Sequence, residues 1–222
     1  MQEPLRLVVL GDPIEHSRSP AIHKAAMRHL GIEGTYEARR AGVAELATAV
    51  TELRTGGLDG INITMPLKSE AAAMAETLTA EASVSSSVNT LRHRAGAVEG
   101  HSTDVIASRT AFADERFDRA APVLILGSGG AAAAALAGAS GRSVYVAARN
   151  QARATALLAR VGSEAGLLRF DAGVAGALVV NATPVGMGGE GLPDRVIGTA
   201  SGIIDLAYGF EQTRTVSEAR RS

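Results

Sequence analysis

The stretch G-I-N-I-T-M-P-L-K, Gly60 to Lys68, decides how the rest of the chain is read. Ile61, Ile63 and Met65 alternate with Asn62 and Thr64, the period of two expected of a strand with one buried face. On that reading the apolar residues face a core, and Asn62 and Thr64 stand side by side on the other face. Pro66 stops further pairing and suits the first turn of a helix. The run from Lys68 to Leu78, K-S-E-A-A-A-M-A-E-T-L, is rich in helix formers and predicts that helix. Lys68 then falls in its first turn, at the positive end of the dipole, where a cation is unfavourable for stability. A lysine placed there beside a polar shelf points to proton transfer rather than to a solvated surface group.

Upstream, Leu5 to Leu10 is a mostly apolar run ending at Gly11, as a buried strand would be. The loop G-D-P-I-E-H-S-R-S-P follows, and Ser19-Pro20 makes a helix start with a hydroxyl cap and a proline at the first position. Ile22, Ala25, Ala26, His29 and Leu30 are expected on the inner face of that helix. Gly34 to Arg39 reads as a second strand and Val43 to Leu53 as a second helix. This β-α-β-α-β order predicts parallel pairing with right-handed crossovers. Ligands bind at the carboxyl ends of the strands in such sheets. Ser17, Ser19, Asn62, Thr64 and Lys68 all fall at or just beyond those ends.

Downstream, Val88 to Arg92 and Ala97 to Glu99 read as short strands about a turn at Arg94–Gly96. Thr103 is placed to cap a helix running to about Phe112, with Asp104 in its first turn. The charged stretch from Asp114 to Arg119 reads as a surface linker and domain boundary. Beyond it the alternation restarts. Pro122 to Leu126 is a buried strand, and Gly127-Ser128-Gly129-Gly130-Ala131-Ala132 is G-x-G-x-x-A opening an alanine-rich helix, one form of the dinucleotide fingerprint. Its glycines admit a pyrophosphate, and the helix N-terminus supplies free N–H groups. The next strand, Ser143 to Ala147, runs into Ala148-Arg149-Asn150. An NAD-binding chain would carry an acid there for the ribose. This chain carries Arg149, with Arg153 one turn on, and a guanidinium pair matches the 2′-phosphate of NADP. Leu178 to Thr183 and Gly202 to Tyr208 read as later strands with polar tips, the first ringed by glycines and Pro184.

The composition narrows the function classes. At 222 residues the chain has room for one large domain or two small ones. Hydrophobic content of 46% and charged content of 20% describe a folded globular protein. A net charge of −1 gives no general attraction to nucleic acid or anionic lipid, and aromatics at 3% supply no stacking platform for single strands. The absence of cysteine excludes disulfides, thiol catalysis and cysteine metal sites, and suits a reducing cytoplasm. The apolar run at Leu7 to Leu10 is too short for a signal peptide or membrane span. The five histidines are scattered without metal spacing, His23 and His29 reading as helix-surface residues, and no G-x-S-x-G elbow supports a hydrolase.

With these pieces in order, the chain resembles the shikimate dehydrogenases. The matching blocks are H-S-R-S-P (His16–Pro20), G-I-N-I-T-M-P-L-K (Gly60–Lys68), V-N-T-L (Val88–Leu91), T-D (Thr103–Asp104), G-S-G-G-A-A (Gly127–Ala132), N-A-T-P-V-G-M (Asn181–Met187) and D-L-A-Y (Asp205–Tyr208). The resemblance implies an α/β protein of two domains: residues 1–104 with a mostly parallel sheet for substrate, and residues 105–222 as a Rossmann-like domain for NADP. It implies an active cleft between them, hinge motion about the Asp104–Phe112 helix, and reduction of 3-dehydroshikimate to shikimate by NADPH in the chorismate pathway of aromatic amino-acid biosynthesis.

The family roles then fall on matching positions. Ser17 and Ser19 would take the substrate carboxylate with Tyr208; Asn62, Thr64 and Asn89 would hold ring hydroxyls; Lys68 and Asp104 would form the catalytic pair. Gly127, Ser128, Gly129, Gly130, Ala131, Arg149 and Arg153 would hold NADP, and Thr183, Gly186 and Met187 would border its nicotinamide end. The partner is a small molecule, with no nucleic acid or membrane; a homodimer is left open. Quinate is the nearest rival substrate, and a nucleotide-binding paralogue without turnover is the rival class. The chain departs from the family at Lys24 and Ser102, where asparagine is usual, and at Ala107, where glycine is usual. The family's C-terminal helix, which returns to the substrate domain with a glutamine, is expected to be missing, a contact worth about 1 kcal/mol apart from its packing.

Overall fold

β1 (Leu5–Gly11), α1 (Ser19–Leu30), β2 (Gly34–Arg40), α2 (Val43–Arg54) and β3 (Gly60–Ile63) follow one another as the sequence predicts, and β1 pairs in parallel with both β2 and β3. The computed structural model describes residues 3–208 and 212–220. Val8, Leu10, Ile61 and Ile63 turn to one face of the sheet and meet Leu46, Val50 and Leu53 of α2. Val9, Ile14 and Tyr36 close a smaller cluster on the other face. α3 (Lys68–Met74), β4 (Thr77–Leu78), α4 (Ala80–Ser85), β5 (Thr90–Arg94) and β6 (Ala97–His101) extend the sheet to the order β2-β1-β3-β5-β6-β4. β5 runs antiparallel to β3 and β6, so the sheet is mixed. The β5–β6 hairpin turns on Ala95 and Gly96, both at positive φ, the geometry that matches strand twist in a two-residue loop.

Four local expectations are corrected. The alternation at Gly60 stops at Ile63: Met65 is 39% exposed and lies in a turn, and Pro66 lies in that turn rather than in the helix. The helix that starts at Lys68 ends at Met74 instead of Leu78. There the Glu76 amide bonds the Val98 carbonyl, the Glu76 carboxylate takes the Val98 amide, and the chain is drawn into β4. On α1 the apolar face read at Ile22, Ala25, Ala26, His29 and Leu30 is exposed, Ile22 by 63% and Leu30 by 66%. The residues that meet the sheet are His23, stacked on Tyr36, and Met27, which is buried. The inner stripe is therefore shifted one residue from the apolar one. Ser19 is the first helical residue and not a cap, and α1 has no side-chain cap.

The described chain parts into two compact units between Thr103 and Asp104, at the start of α5 (Thr103–Phe112). Thr103 is likewise helical rather than a flanking cap. The charged stretch 114–119 thus lies inside the second unit and not at a boundary. Arg142 explains this: it donates to the Asp118 and Ala121 carbonyls and lies over the Phe112 ring, while Phe117 packs on the core. In this unit β7 (Val123–Leu126), α6 (Gly130–Gly138), β8 (Val144–Ala148), α7 (Gln151–Val161), β9 (Gly166–Arg169), β10 (Ala177–Asn181), α8 (Asp194–Thr199), β11 (Ala200–Asp205) and α9 (Arg214–Ala219) follow. The five strands pair in parallel throughout, in the order β11-β10-β7-β8-β9. Chain progress runs outward from β7 in one direction and returns to its other side at β10, which puts a topological switch between β7 and β10. Among the described residues no helix is long and apolar enough to cross a membrane.

The end of β1 is packed hard against the end of β3. The Thr64 amide bonds the Leu10 carbonyl at 2.8 Å and the Asp12 amide bonds the Met65 carbonyl at 2.9 Å. A methyl at Gly11 would run into the Thr64 side chain and lie 2.7 Å from the Met65 carbonyl oxygen. Gly11→Ala is accordingly expected to lower unfolding free energy by about 1–3 kcal/mol. A urea titration reads this as a lower midpoint at unchanged slope; an unchanged midpoint would contradict the packing.

Candidate functional site

In the first unit, Ser17 and Ser19 come from the loop after β1. The Ser19 amide donates to the Ser17 hydroxyl oxygen at 3.3 Å, so Ser17 satisfies one of the open N–H groups of α1. The Ser19 side chain itself bonds the Tyr36 phenol. That phenol donates to Asn62 Oδ1 at 2.6 Å. Asn62 Nδ2 donates to Thr90 Oγ1 at 3.0 Å and to the Asn89 carbonyl at 3.3 Å. The Thr90 hydroxyl donates to Asn89 Oδ1 at 3.2 Å, and Asn89 Nδ2 donates to Thr103 Oγ1 at 2.7 Å. The Thr103 amide closes the run on Asn89 Oδ1 at 3.1 Å. Four of the six first-unit positions chosen from sequence therefore sit on one run of hydrogen bonds, Ser17, Ser19, Asn62 and Asn89; Lys68 opens α3, and its carbonyl accepts the Val88 amide at 2.9 Å. Thr64 lies just past β3 with its side chain on Gly11. Asp104 follows Thr103 directly in the first turn of α5.

Tyr36, Thr90 and their place in this run escape the sequence reading. One signal was available: a lone aromatic inside the otherwise polar G-T-Y-E-A-R strand, in a chain with three tyrosines. Tyr36 is fully buried, and burial pushes its phenol up to about 12, the hydrogen bond from Ser19 acting the other way. His23, stacked on it at 4.3 Å, is lowered by the same loss of solvent.

In the second unit, Gly127 ends β7 with φ +119, and a Cβ there would come within 2.8 Å of the Ala182 carbonyl oxygen and 3.1 Å of the Thr183 methyl. The loops after β7 and β10 thus touch, with Ser128, Gly129, Gly130 and Ala131 opening α6 beside them. A Cβ at Gly129 would meet nothing within 4 Å, so the loop leaves open room on that side. Thr183 donates to Asn181 Oδ1 at 2.6 Å and receives the Val185 amide, which pins the turn before Gly186, itself at φ +105. Met187 stands exposed beyond it. Arg149, exposed at the end of β8, lies over the Phe170 ring at 5.6 Å, and Arg153 is exposed in the first turn of α7, which Asn150 caps. The glycine cradle and the two guanidiniums fit a dinucleotide carrying an extra phosphate. Glu190, unnoticed in the sequence, is held below the usual carboxylate range by its own N–H and that of Gly186, with Gly188 and the Arg149 charge adding to the effect. Tyr208 is half exposed just past β11, whose last residue, Asp205, accepts from Asn181 Nδ2, the Ala207 amide and the Thr213 hydroxyl. Among the described residues no three His, Cys, Asp or Glu side chains gather to hold a metal ion.

Comparison with known proteins agrees with this geometry. Residues 9–91 match the family model for the shikimate dehydrogenase substrate binding domain. The shikimate dehydrogenase (NADP(+)) of Thermus thermophilus is 34% identical over 221 residues, 97% of this chain and 83% of the relative. A crystal structure of shikimate 5-dehydrogenase from Thermus thermophilus in complex with NADP(H) and shikimate superposes with a TM-score of 0.77 at 31% identity, covering 98% of this chain and 84% of that one. A chorismate mutase/shikimate 5-dehydrogenase fusion protein from Clostridium acetobutylicum gives 0.83 at 26% identity, with 99% and 83% covered.

The buried phenol makes stability depend on alkaline pH. An unfolded tyrosine loses its proton near pH 10, whereas Tyr36 holds it to about 12, so the unfolded state binds fewer protons in between. Unfolding free energy is expected to be flat in this contribution below pH 10 and to fall as pH rises towards 12. Urea titrations across that range should show the fall, and Tyr36→Phe should flatten it.

Proposed function

The chain belongs to the shikimate dehydrogenase family; on that premise we propose that it reduces 3-dehydroshikimate reversibly to shikimate with NADPH. The observation that carries this reading is the run of hydrogen-bonded hydroxyls and amides from Ser19 to Thr103 at the carboxyl ends of β1 and β3, which suits a small ring bearing several hydroxyls. In the reduction, the carbonyl carbon of the substrate gains a hydride and its oxygen gains a proton. NADPH supplies the hydride when bound. Lys68 gives the proton to that oxygen and takes it back in the reverse direction, and Asp104 accepts a hydrogen bond from the hydroxyl formed. Ser17 and Ser19, with Tyr208, take the carboxylate; Asn62, Thr64 and Asn89 hold ring hydroxyls.

Residues 1–104 act as the substrate-binding part and residues 105–222 as the NADP-binding part. Gly127, Ser128, Gly129, Gly130 and Ala131 take the pyrophosphate, Arg149 and Arg153 the 2′-phosphate, and Thr183, Gly186 and Met187 border the nicotinamide. A chain without cysteine that draws on NADPH is placed in the cytoplasm.

The direct test is NADP⁺ reduction followed through the absorbance of the reduced nicotinamide, with shikimate as substrate and quinate and NAD⁺ as controls. Turnover with shikimate and NADP⁺ is expected; binding of NADPH without turnover of shikimate would overturn the reading. Lys68→Ala should lower kcat by roughly 10²–10⁴ while NADPH affinity is retained. A loss of NADPH affinity in its place would contradict the proton-transfer role. Arg149→Ala should raise KM for NADP⁺ about tenfold and leave KM for NAD⁺ nearly unchanged, as loss of one charge-assisted hydrogen bond implies.

A further inference from the structure

The Asn62 amide has a fixed polarity. Its neighbour at 3.3 Å, the Asn89 main-chain carbonyl, can only accept, so the NH₂ end must face it and Oδ1 must face Tyr36. Both N–H groups are then occupied, one by that carbonyl and the other by Thr90 Oγ1. Oδ1 has two acceptor positions, and the Tyr36 phenol fills one. What Asn62 has left for a ligand is a single acceptor position, suited to a hydroxyl that donates and unsuited to a carbonyl or ether oxygen. The surroundings hold this arrangement rigidly. Tyr36 is fully buried, and His23 stacks flat on its ring with an interplanar angle of 12°.

We infer that Tyr36 and Thr90 are positioning residues, which lock the Asn62 amide so that it accepts a hydrogen bond from one ring hydroxyl of the substrate. They act through Asn62 and do not touch the substrate. The inference rests on the substrate-binding role proposed for Asn62. It gives the first unit a means of choosing hydroxyl over oxo at one ring position, because a substrate oxygen that cannot donate would face an acceptor with no proton between them.

A double-mutant cycle tests this on the full chain. Tyr36→Phe keeps the ring, its burial and the His23 stack while removing the donor; Thr90→Val removes the group that holds Nδ2. Each is expected to raise KM for shikimate about five- to tenfold, the effect of one neutral hydrogen bond, with kcat and KM for NADP⁺ nearly unchanged. In an Asn62→Ala background neither substitution should raise KM further, because the group they position is gone. An unchanged KM in both single variants, or effects that add fully to Asn62→Ala, would overturn the inference. Should Tyr36→Phe lower the melting temperature sharply, the Thr90→Val arm decides alone. The unaltered chain separates the two levels: no turnover of shikimate by it would sink the functional reading and this inference together, whereas turnover with additive variants would sink only the inference.

Discussion

Parallel pairing of β1 with β2 and β3 is the constraint on which the first unit depends. A parallel neighbour can be reached only by crossing the sheet, so the connections from β1 to β2 and from β2 to β3 carry helices and these three strands end at the same edge. The loops at that edge are then crowded together whatever their sequence. Here the crowding is close enough that the end of β1 tolerates no side chain at Gly11 and that the Thr64 amide donates a hydrogen bond to the Leu10 carbonyl of β1. The second unit obeys the same constraint with a further consequence. Its chain reverses direction across the sheet between β7 and β10, which opens the two following loops side by side and sets Gly127 against Thr183.

Much of this was legible in the sequence because it is written in period and punctuation. Ile61 and Ile63 alternate with Asn62, the glycines of Gly127–Gly130 follow a buried strand, and Arg149 stands where the strand ends. Each of those signals is local, and each element formed where expected. The errors have a common cause in tertiary pairing. Lys68 to Leu78 has helix-forming composition, yet the Val98 backbone offers Glu76 two hydrogen bonds that end the helix at Met74. The apolar residues of α1 mark one face as inner, yet the contact is made by His23 on Tyr36, an aromatic stack that hydropathy does not register. Thr103 and Ser19 have the residue type and position of caps, yet Thr103 Oγ1 is held by Asn89 and the Ser19 side chain by Tyr36. Residues that pair 26 or 27 positions away leave no trace in spacing, and that is why the Tyr36–Asn62 bond is not legible in the sequence.

A strand face that mixes Tyr36, Asn62 and Thr90 is a poor choice for a core, since each buried polar group must find a partner. The sequence meets that demand by making the groups partners of one another, so the polar face is rigid before any ligand arrives. Preorganisation of this kind is what a binding site for a small polyol requires, because a ligand then displaces water without having to order the side chains that hold it. Asn62 and Asn89 are members of the same run, and the two amides are presented as one surface rather than as separate contacts.

The most direct measurement of this account is an NMR titration of the full chain with shikimate, following the side-chain amide resonances of asparagine. The account predicts that the Asn62 and Asn89 resonances shift together and saturate at one affinity, while Asn150, which caps α7 in the second unit, stays in place. Shifts confined to the second unit, or none at Asn62 and Asn89 under saturation, would contradict it.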